Sequence, residues 1–251
     1  MARLPRNGAD IHHEAHGAGS PIMLTHGFGA TSRMWDEQIE EFTDRHRLIL
    51  WDLPGHGESG PPANGMTQDS LAADMLAILD DADAPNTVLG GLGIGGVLAL
   101  RFWRAYPERV RGLILIGTLP GLRSGAAREI SNGQVEALAA SIERDGLAAL
   151  RGGAEVDREL QSSPSGLAAA ARSMLKQHDE GAQAWLGDID VPVLILVGSE
   201  DRPNLSAAEF MARTIPNVKK RVIARAGHAA NIDKPAAVNA AIREFLGRLP
   251  R

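Results

Sequence analysis

An acid and a histidine follow two apolar runs near the carboxyl end of the sequence. Asp201 lies in GSEDRP (198–203), just after VPVLILV, and His228 lies in RAGHAAN (225–231), just after KRVIA. A histidine oriented by a carboxylate can take a proton from a hydroxyl group or a water molecule, so the pair predicts general-base chemistry. Either residue alone is more typical of a solvated loop, but the two together in this order favour a catalytic pair.

A glycine-rich turn supplies a third candidate position. The stretch TVLGGLGIGGVLAL (87–100) is typical of a strand, a tight turn and a helix, the arrangement in which G-x-S-x-G lifts a nucleophile above a sheet. Gly91 and Gly95 occupy the flanking positions, and Gly93 stands where the nucleophile would be. Glycine tolerates the strained backbone of such a turn, so we expect the turn to form without a side chain that can attack.

The same glycines also permit a nucleotide-binding interpretation. Gly91, Gly93 and Gly96 fit the spacing G-x-G-x-x-G of a dinucleotide-binding turn, in which an acid at the end of the next strand holds the ribose. The next apolar run, GLILIGTLP, ends without an acid, and three predicted strands precede the turn. Nucleotide binding is therefore disfavoured. Since no metal-ligand spacing or other cofactor motif is present either, we predict no cofactor and no metal.

A loop after the first long apolar run could stabilise negative charge. THGFGA (25–30) presents backbone N–H groups, so the N–H of Phe28 can pair with the N–H of Ile94 as an oxyanion hole. Trp35 and His26 are the candidate side chains of a substrate pocket. His26 is also typical of a residue that fixes loop geometry, as is His56 in PGHG.

The elements that must position these residues alternate along the chain. Between the strands lie segments with apolar residues at helical spacing, so the pattern predicts an α/β fold: a mainly parallel sheet with helices on both faces. The predicted strands are 21–26, 47–51, 87–91, 112–117, 191–198 and 220–224, and the predicted helices are 34–42, 70–82, 95–106, 206–215 and 235–249.

One interval breaks this alternation. Residues 119–187 contain helical segments but no convincing strand, which predicts a helical cap (lid) insertion in a core formed by residues 1–118 and 188–251. Such an insertion can cover the carboxyl edge of the sheet, where open α/β sheets bind ligands. An ordinary run of crossover helices is the alternative.

Composition limits the class of partner. The 251 residues carry a net charge of −5 and include no cysteine. The charge gives no electrostatic argument for nucleic acid, and the absence of cysteine excludes disulfides and thiol nucleophiles. The amino-terminal residues lack a secretory signal, and no apolar run is long enough to span a bilayer, so we expect a cytoplasmic protein that acts on a small molecule without nucleic acid or membrane. His12, His13 and His16 are expected at the surface, and the oligomeric state is not readable.

The chain resembles the α/β-hydrolase superfamily, including its enol-lactonases and small esterases. The resemblance rests on five motifs in the family's order: HGFG, DLPGHGESG (52–60), GLGIGG, GSED and AGH. It implies the α/β-hydrolase fold and assigns the nucleophile to position 93, the acid to Asp201 and the base to His228. The chain departs from the family pattern at the nucleophile, where the family has serine.

Several functions remain open at this stage. The first is hydrolysis of a small carboxylic ester or lactone, with Gly93 marking either an inactivated variant or an enzyme whose water is activated by His228 and Asp201. The second is a carbon–carbon bond hydrolase, or a lyase or isomerase that uses His228 as a base. The third is a non-catalytic binder of small molecules on a hydrolase fold.

Overall fold

Eight strands form a mostly parallel sheet in the computed structural model, which describes residues 2–6 and 9–249. Their order across the sheet is β1-β2-β4-β3-β5-β6-β7-β8, and every pairing from β4 to β8 is parallel. The amino-terminal strands β1 and β2 pair antiparallel with each other, and β2 pairs antiparallel with β4. The strands are β1 (Ala2–Arg6), β2 (Ala9–His16), β3 (Ser20–Thr25), β4 (His46–Trp51), β5 (Thr87–Leu92), β6 (Val110–Ile116), β7 (Val193–Gly198) and β8 (Val218–Ile223).

Helices cover both faces of this sheet, which confirms the predicted fold class. One apolar cluster packs α2, α3 and α6 against the sheet, and a second packs α1 and α8 against the opposite face. All residues of β5 and β7 are buried, as expected for strands covered on both faces. The helices are α1 (Asp36–Phe42), α2 (Gln68–Asp81), α3 (Ile94–Ala105), α4 (Gly125–Asp145), α5 (Pro164–Met174), α6 (Arg202–Thr214), α7 (Ala230–Asp233) and α8 (Pro235–Leu246).

Residues 119–187, called the insertion below, connect β6 to β7. The insertion contains α4, α5 and short 3-10 helices, and none of the described strands falls within it. Its two long helices share a small apolar core that includes Ile142 and Leu167. A division of the chain into core and cap stays a prediction, but the insertion contacts the loop after β3: the backbone N–H of Asp157 donates to Gly29 O at 3.1 Å.

The histidines of β2 correct one expectation. His12 and His13 are each only 4% exposed, because their side chains lie against the loop that carries Glu58 and against the end of α2. His16, at the end of the strand, is partly exposed. His13 Nε2 lies 3.2 Å from the carboxylate of Asp81. Burial lowers the pKa of His13 despite this neighbouring carboxylate. His12 and His13 are therefore part of the packed structure.

Within the described residues, no helix combines the length and the apolar character needed to cross a lipid bilayer.

Candidate active site

Three parallel strands, β5, β7 and β8, end at the carboxyl edge of the sheet. Gly93 follows β5, Asp201 follows β7 and His228 lies in the loop after β8. His228 reaches back across the edge, and its Nδ1 lies 3.0 Å from Asp201 Oδ2. The structure thus brings together the three residues that the sequence singled out, while their catalytic roles stay a prediction.

The turn at Gly93 has the strained backbone expected of a nucleophile elbow. Gly93 has φ 55° and ψ −112°, and its N–H donates to Ile116 O at 2.9 Å. A Cβ on Gly95 would overlap the carbonyl oxygen of Thr25, and a Cβ on Gly91 would overlap the backbone of Gly95. The flanking glycines are therefore required by close backbone contacts, whereas Gly93 is favoured by its positive φ.

A side chain at position 93 would point at the imidazole of His228. An ideal Cβ on Gly93 would lie 3.2 Å from His228 Nε2 and 3.6 Å from Cε1, with no other heavy atom of the described residues among its neighbours within 4 Å. The space next to Nε2 therefore suits a small polar group, either a hydroxyl on a side chain or a water molecule.

The pKa values of Asp201 and His228 are shifted in the directions that a general base requires. Burial opposes the charge on Asp201, but hydrogen bonds from His228 and Asn204 outweigh it and hold the pKa of Asp201 below its ordinary value. Burial also opposes a proton on His228, yet the hydrogen bond and charge of Asp201, together with the charge of Glu155, raise the pKa of His228. Because Nδ1 donates to Asp201, the lone pair of neutral His228 lies on Nε2, towards Gly93.

The two predicted oxyanion donors belong to turns next to this site. Ile94 is the first residue of α3, so its N–H has no acceptor within the helix. Phe28 lies in the turn after β3 that the hydrogen bond from Ala30 N to Gly27 O closes at 3.1 Å. The positive end of the α3 dipole also favours an anion here. The pairing of the two N–H groups on one oxygen stays a prediction.

His26 does not line the cavity described below, contrary to the pocket prediction. Its side chain is fully buried; Nε2 accepts a hydrogen bond from Leu53 N at 2.9 Å, and Nδ1 lies 2.7 Å from Gly27 O. Burial lowers the pKa of His26, so the ring is neutral and links two loops. His56 packs beside it, with its ring 5.1 Å from the rings of both His26 and Phe28.

The prediction that Trp35 lines the pocket is also wrong. The side chain is fully buried in the apolar cluster that packs α1 and α8 on the sheet, and it does not line the cavity described below. The side chain of a residue just after a loop can point towards the sheet or away from it, and here the indole ring packs on the apolar face of the sheet. Trp35 therefore contributes to the core.

Sequence reasoning missed two side chains near His228. Asn204 Nδ2 lies 3.0 and 2.9 Å from the two carboxylate oxygens of Asp201 and 3.3 Å from His228 Nδ1. Asn204 occupies the third position of α6, after Asp201 at the N-cap, so the D-x-x-N spacing of a helix start could have indicated it.

Glu155 is the second missed residue and comes from the insertion. It is 8% exposed, its Oε1 accepts a hydrogen bond from Gly153 N at 3.1 Å, and its Oε2 is buried without a partner among the described residues. Its charge acts on His228, as noted above. Nothing in the sequence around Glu155 indicates this effect, because it depends on how the insertion folds over the sheet.

A cavity of about 560 Å³ opens above Gly93 and His228. Its floor comes from the ends of the strands and the first turns of α3, and much of its wall comes from the insertion. The lining includes Gly93, Ile94, Val97, Arg101, Asn204 and His228 on the core side, and Leu119, Pro120, Met174, Leu175 and Lys176 on the insertion side. The size suits a small organic ligand.

Comparisons with known proteins agree with this architecture. The esterase from Thermogutta terrifontis, solved with malate bound, has a similar structure with a TM-score of 0.86 and 31% sequence identity, and the match covers 99% of each chain. A putative 2-succinyl-6-hydroxy-2,4-cyclohexadiene-1-carboxylate synthase from Bacillus subtilis is 27% identical, over 93% of this chain and 92% of the relative. The 3-oxoadipate enol-lactonase 2 of Acinetobacter baylyi is 25% identical, over 90% and 88% of the two chains.

A sequence profile described as the alpha/beta hydrolase family matches residues 22–241, which span the sheet from β3 onwards and the loops that carry Gly93, Asp201 and His228. Since this match covers most of the chain and the sheet, helices and strand-end loops have the arrangement described above, the protein belongs to the alpha/beta hydrolase family.

Proposed function

We propose that this protein hydrolyses a small, uncharged carboxylic ester or lactone by direct attack of a water molecule that His228 activates. The observation that carries the proposal is the open space above Gly93, where a Cβ would lie 3.2 Å from His228 Nε2. A water molecule at that position is not covalently bound to the protein, and it can transfer a proton to Nε2.

The reaction follows from these positions. Water attacks the carbonyl carbon as its proton moves to Nε2, and the negative charge on the carbonyl oxygen is stabilised by the N–H groups of Phe28 and Ile94. When the tetrahedral intermediate collapses, the bond to the alkoxide breaks, and His228 returns the proton to the alkoxide. The products are a carboxylic acid and an alcohol, or one hydroxy acid from a lactone, and no acyl-enzyme forms.

The charges around the cavity support an uncharged substrate. Arg101 pairs with Asp179 at 2.9 Å and with Asp69 at 3.5 Å. Arg172 and Lys176 both pair with Glu136 at 2.8 Å. Among the described lining residues, each arginine and lysine thus already has an acidic partner. A substrate carboxylate would have to compete with these pairs.

The relatives support the reaction class at a coarse level. The esterase and the enol-lactonase named above act on bonds of the proposed type, according to their names. Direct attack by water is expected to be slower than attack by a serine. In serine proteases, removal of one triad member leaves about 10³- to 10⁴-fold catalysis over water.

The first test compares the chain with its His228→Gln and Gly93→Ser variants on short-chain p-nitrophenyl esters and γ-butyrolactone. We expect turnover above the buffer rate, a loss of about tenfold or more in His228→Gln, and no labelling by a serine-reactive fluorophosphonate. Gly93→Ser should be labelled at residue 93. If only Gly93→Ser turns over substrate, the chain is a serine hydrolase without its nucleophile, and the water mechanism is wrong.

Gly93→Ala provides a sharper test, with Gly65→Ala as its matched control. Both positions have positive φ, 55° and 77°, so either alanine should cost roughly 1 kcal/mol of stability. A Cβ on Gly65 meets nothing within 4 Å, whereas one on Gly93 fills the space beside His228 Nε2. We expect kcat/KM to fall about tenfold or more only in Gly93→Ala. Equal rates in the two variants would contradict a water at this position.

A further inference from the structure

The Asp201 carboxylate has two side-chain partners, and only one of them is His228. Asp201 is the N-cap residue of α6, yet its side chain makes no capping bond to the N–H groups of that helix. Its oxygens instead meet His228 Nδ1 at 3.0 Å and Asn204 Nδ2 at 2.9 and 3.0 Å. With Asp201 only 6% exposed, little water is available to share its charge.

Asn204 can act only as a donor to the carboxylate in this arrangement. Its Nδ2 lies 3.3 Å from His228 Nδ1, but that nitrogen already uses its proton to bond Asp201. The amide hydrogens of Asn204 therefore point at Asp201. A hydrogen bond to a charged acceptor stabilises that charge, so Asp201 pulls less strongly on the imidazole proton.

We propose that Asn204 is a positioning residue whose amide takes up part of the negative charge of Asp201 and so keeps His228 available as a base. Two carboxylates, Asp201 before α6 and Glu155 in the insertion, favour a proton on the ring. Two glycines also lie beside the ring, Gly93 at the elbow and Gly117 after β6, and neither titrates. Asn204 opposes the two acids by withdrawing charge from the nearer one.

The test is the titration of His228 in Asn204→Leu, which keeps the branched shape of asparagine and removes its donors. The Cε1–H resonance of His228, assigned by its loss in His228→Gln, gives the pKa by nuclear magnetic resonance without any turnover. We expect this pKa to rise by about half a unit, which corresponds to a roughly threefold higher proton affinity. Ser206→Ala, an exposed position in the same helix, is the control and should leave the titration unchanged.

A pKa of His228 that stays the same or falls in Asn204→Leu overturns this proposal. The effect of Asn204 on catalysis rests on the proposed function, but its effect on the pKa of His228 does not. The titration measures the pKa alone and so distinguishes the two proposals. If the pKa rises but no ester is hydrolysed, Asn204 tunes the imidazole and the hydrolytic mechanism fails. If turnover occurs, the midpoint of kcat/KM against pH should move upwards with the titration, a shift that loss of packing alone would not produce.

Discussion

His228 is bonded to Asp201, is affected by the charge of Glu155 and faces a position without a side chain, and these neighbours underlie the chemistry that we propose at the scale of single residues. The acids raise the proton affinity of the ring, while the glycine leaves Nε2 without a protein partner on that side. A base of this kind must be neutral to act. Its activity therefore depends on pH in a direction that the raised pKa fixes.

We predict that kcat/KM rises with pH, with a midpoint above the ordinary histidine pKa of about 6.5. The value of kcat/KM rises with pH because the protonated ring, which the raised pKa favours, cannot accept a proton from water. Glu155→Gln removes one carboxylate that raises the pKa of His228, so the midpoint should move to lower pH. The measurement is kcat/KM between pH 5 and 9 for both proteins.

Glu159→Gln is the control for this experiment, because Glu159 is exposed and lies four residues further along the same loop. Its profile should match that of the unchanged protein. A midpoint that stays fixed in Glu155→Gln would mean that the carboxylate does not act on the imidazole.

At the scale of elements, the insertion holds the turn that carries Phe28. Gln161 is buried, and its Nε2 donates to Gly29 O at 3.1 Å and to Ala30 O at 3.3 Å. Asp157 N also donates to Gly29 O. Since Phe28 directly precedes these carbonyl groups, the insertion positions a proposed oxyanion donor as well as enclosing the cavity.

Gln161→Ala should lower both stability and activity. Loss of the buried hydrogen bonds is expected to reduce the free energy of unfolding by about 1–3 kcal/mol. The loosened turn should also reduce kcat/KM, because the oxyanion donor is less well fixed. Urea unfolding and ester kinetics measure the two effects, and Gln134→Ala, an exposed position on α4, should show neither. A stability loss with unchanged kcat/KM would show that the turn is positioned without Gln161.

The elements themselves were largely predictable, because strands buried on both faces leave continuous apolar runs. The run at 21–26 became β3 (Ser20–Thr25), and the run at 191–198 became β7 (Val193–Gly198). Helix α6 begins at Arg202, four residues before its predicted start, because its first turn contains proline and polar residues without apolar periodicity. Strand β1 was missed, since half-exposed residues alternate along it without an apolar run.

The site was predictable only where it follows the ends of strands. Gly93, Asp201 and His228 meet because the parallel strands that precede them, β5, β7 and β8, all end at the carboxyl edge of the sheet, where open α/β sheets bind ligands. The prediction that His26 and Trp35 line the pocket was wrong, because the direction of a side chain near a loop depends on packing across the sheet. Glu155 belongs to a distant segment, and no local pattern indicates that its charge acts on His228.

At the scale of the whole molecule, buried neutral histidines link stability to pH. His26 and His56 are fully buried, and burial lowers the pKa of His26 and lowers that of His56 further below its ordinary value. The unfolded chain therefore binds protons at these residues at a higher pH than the folded protein does. These two histidines therefore reduce stability as pH drops below about 6.5 towards their folded pKa values, whereas the raised pKa of His228 acts in the opposite direction.

We predict a lower free energy of unfolding at pH 5.5 than at pH 7.5, measured by urea denaturation. Each unit by which a folded pKa is depressed contributes about 1.4 kcal/mol across the window. His56→Gln should flatten this dependence, whereas His178→Gln, at an exposed position, should not. Equal stability at the two pH values in the unchanged protein would contradict this account.

The order of strands in the sheet has a consequence for how the chain is made. From β3 onwards, β5, β6, β7 and β8 join the same side of the sheet in the order of synthesis. A nascent chain can therefore extend its sheet strand by strand, but the ribosome must first produce the insertion between β6 and β7, on the order of 3 to 14 seconds of elongation. His228 emerges last of the three strand-end residues, so the site can assemble only after all eight described strands have been synthesised.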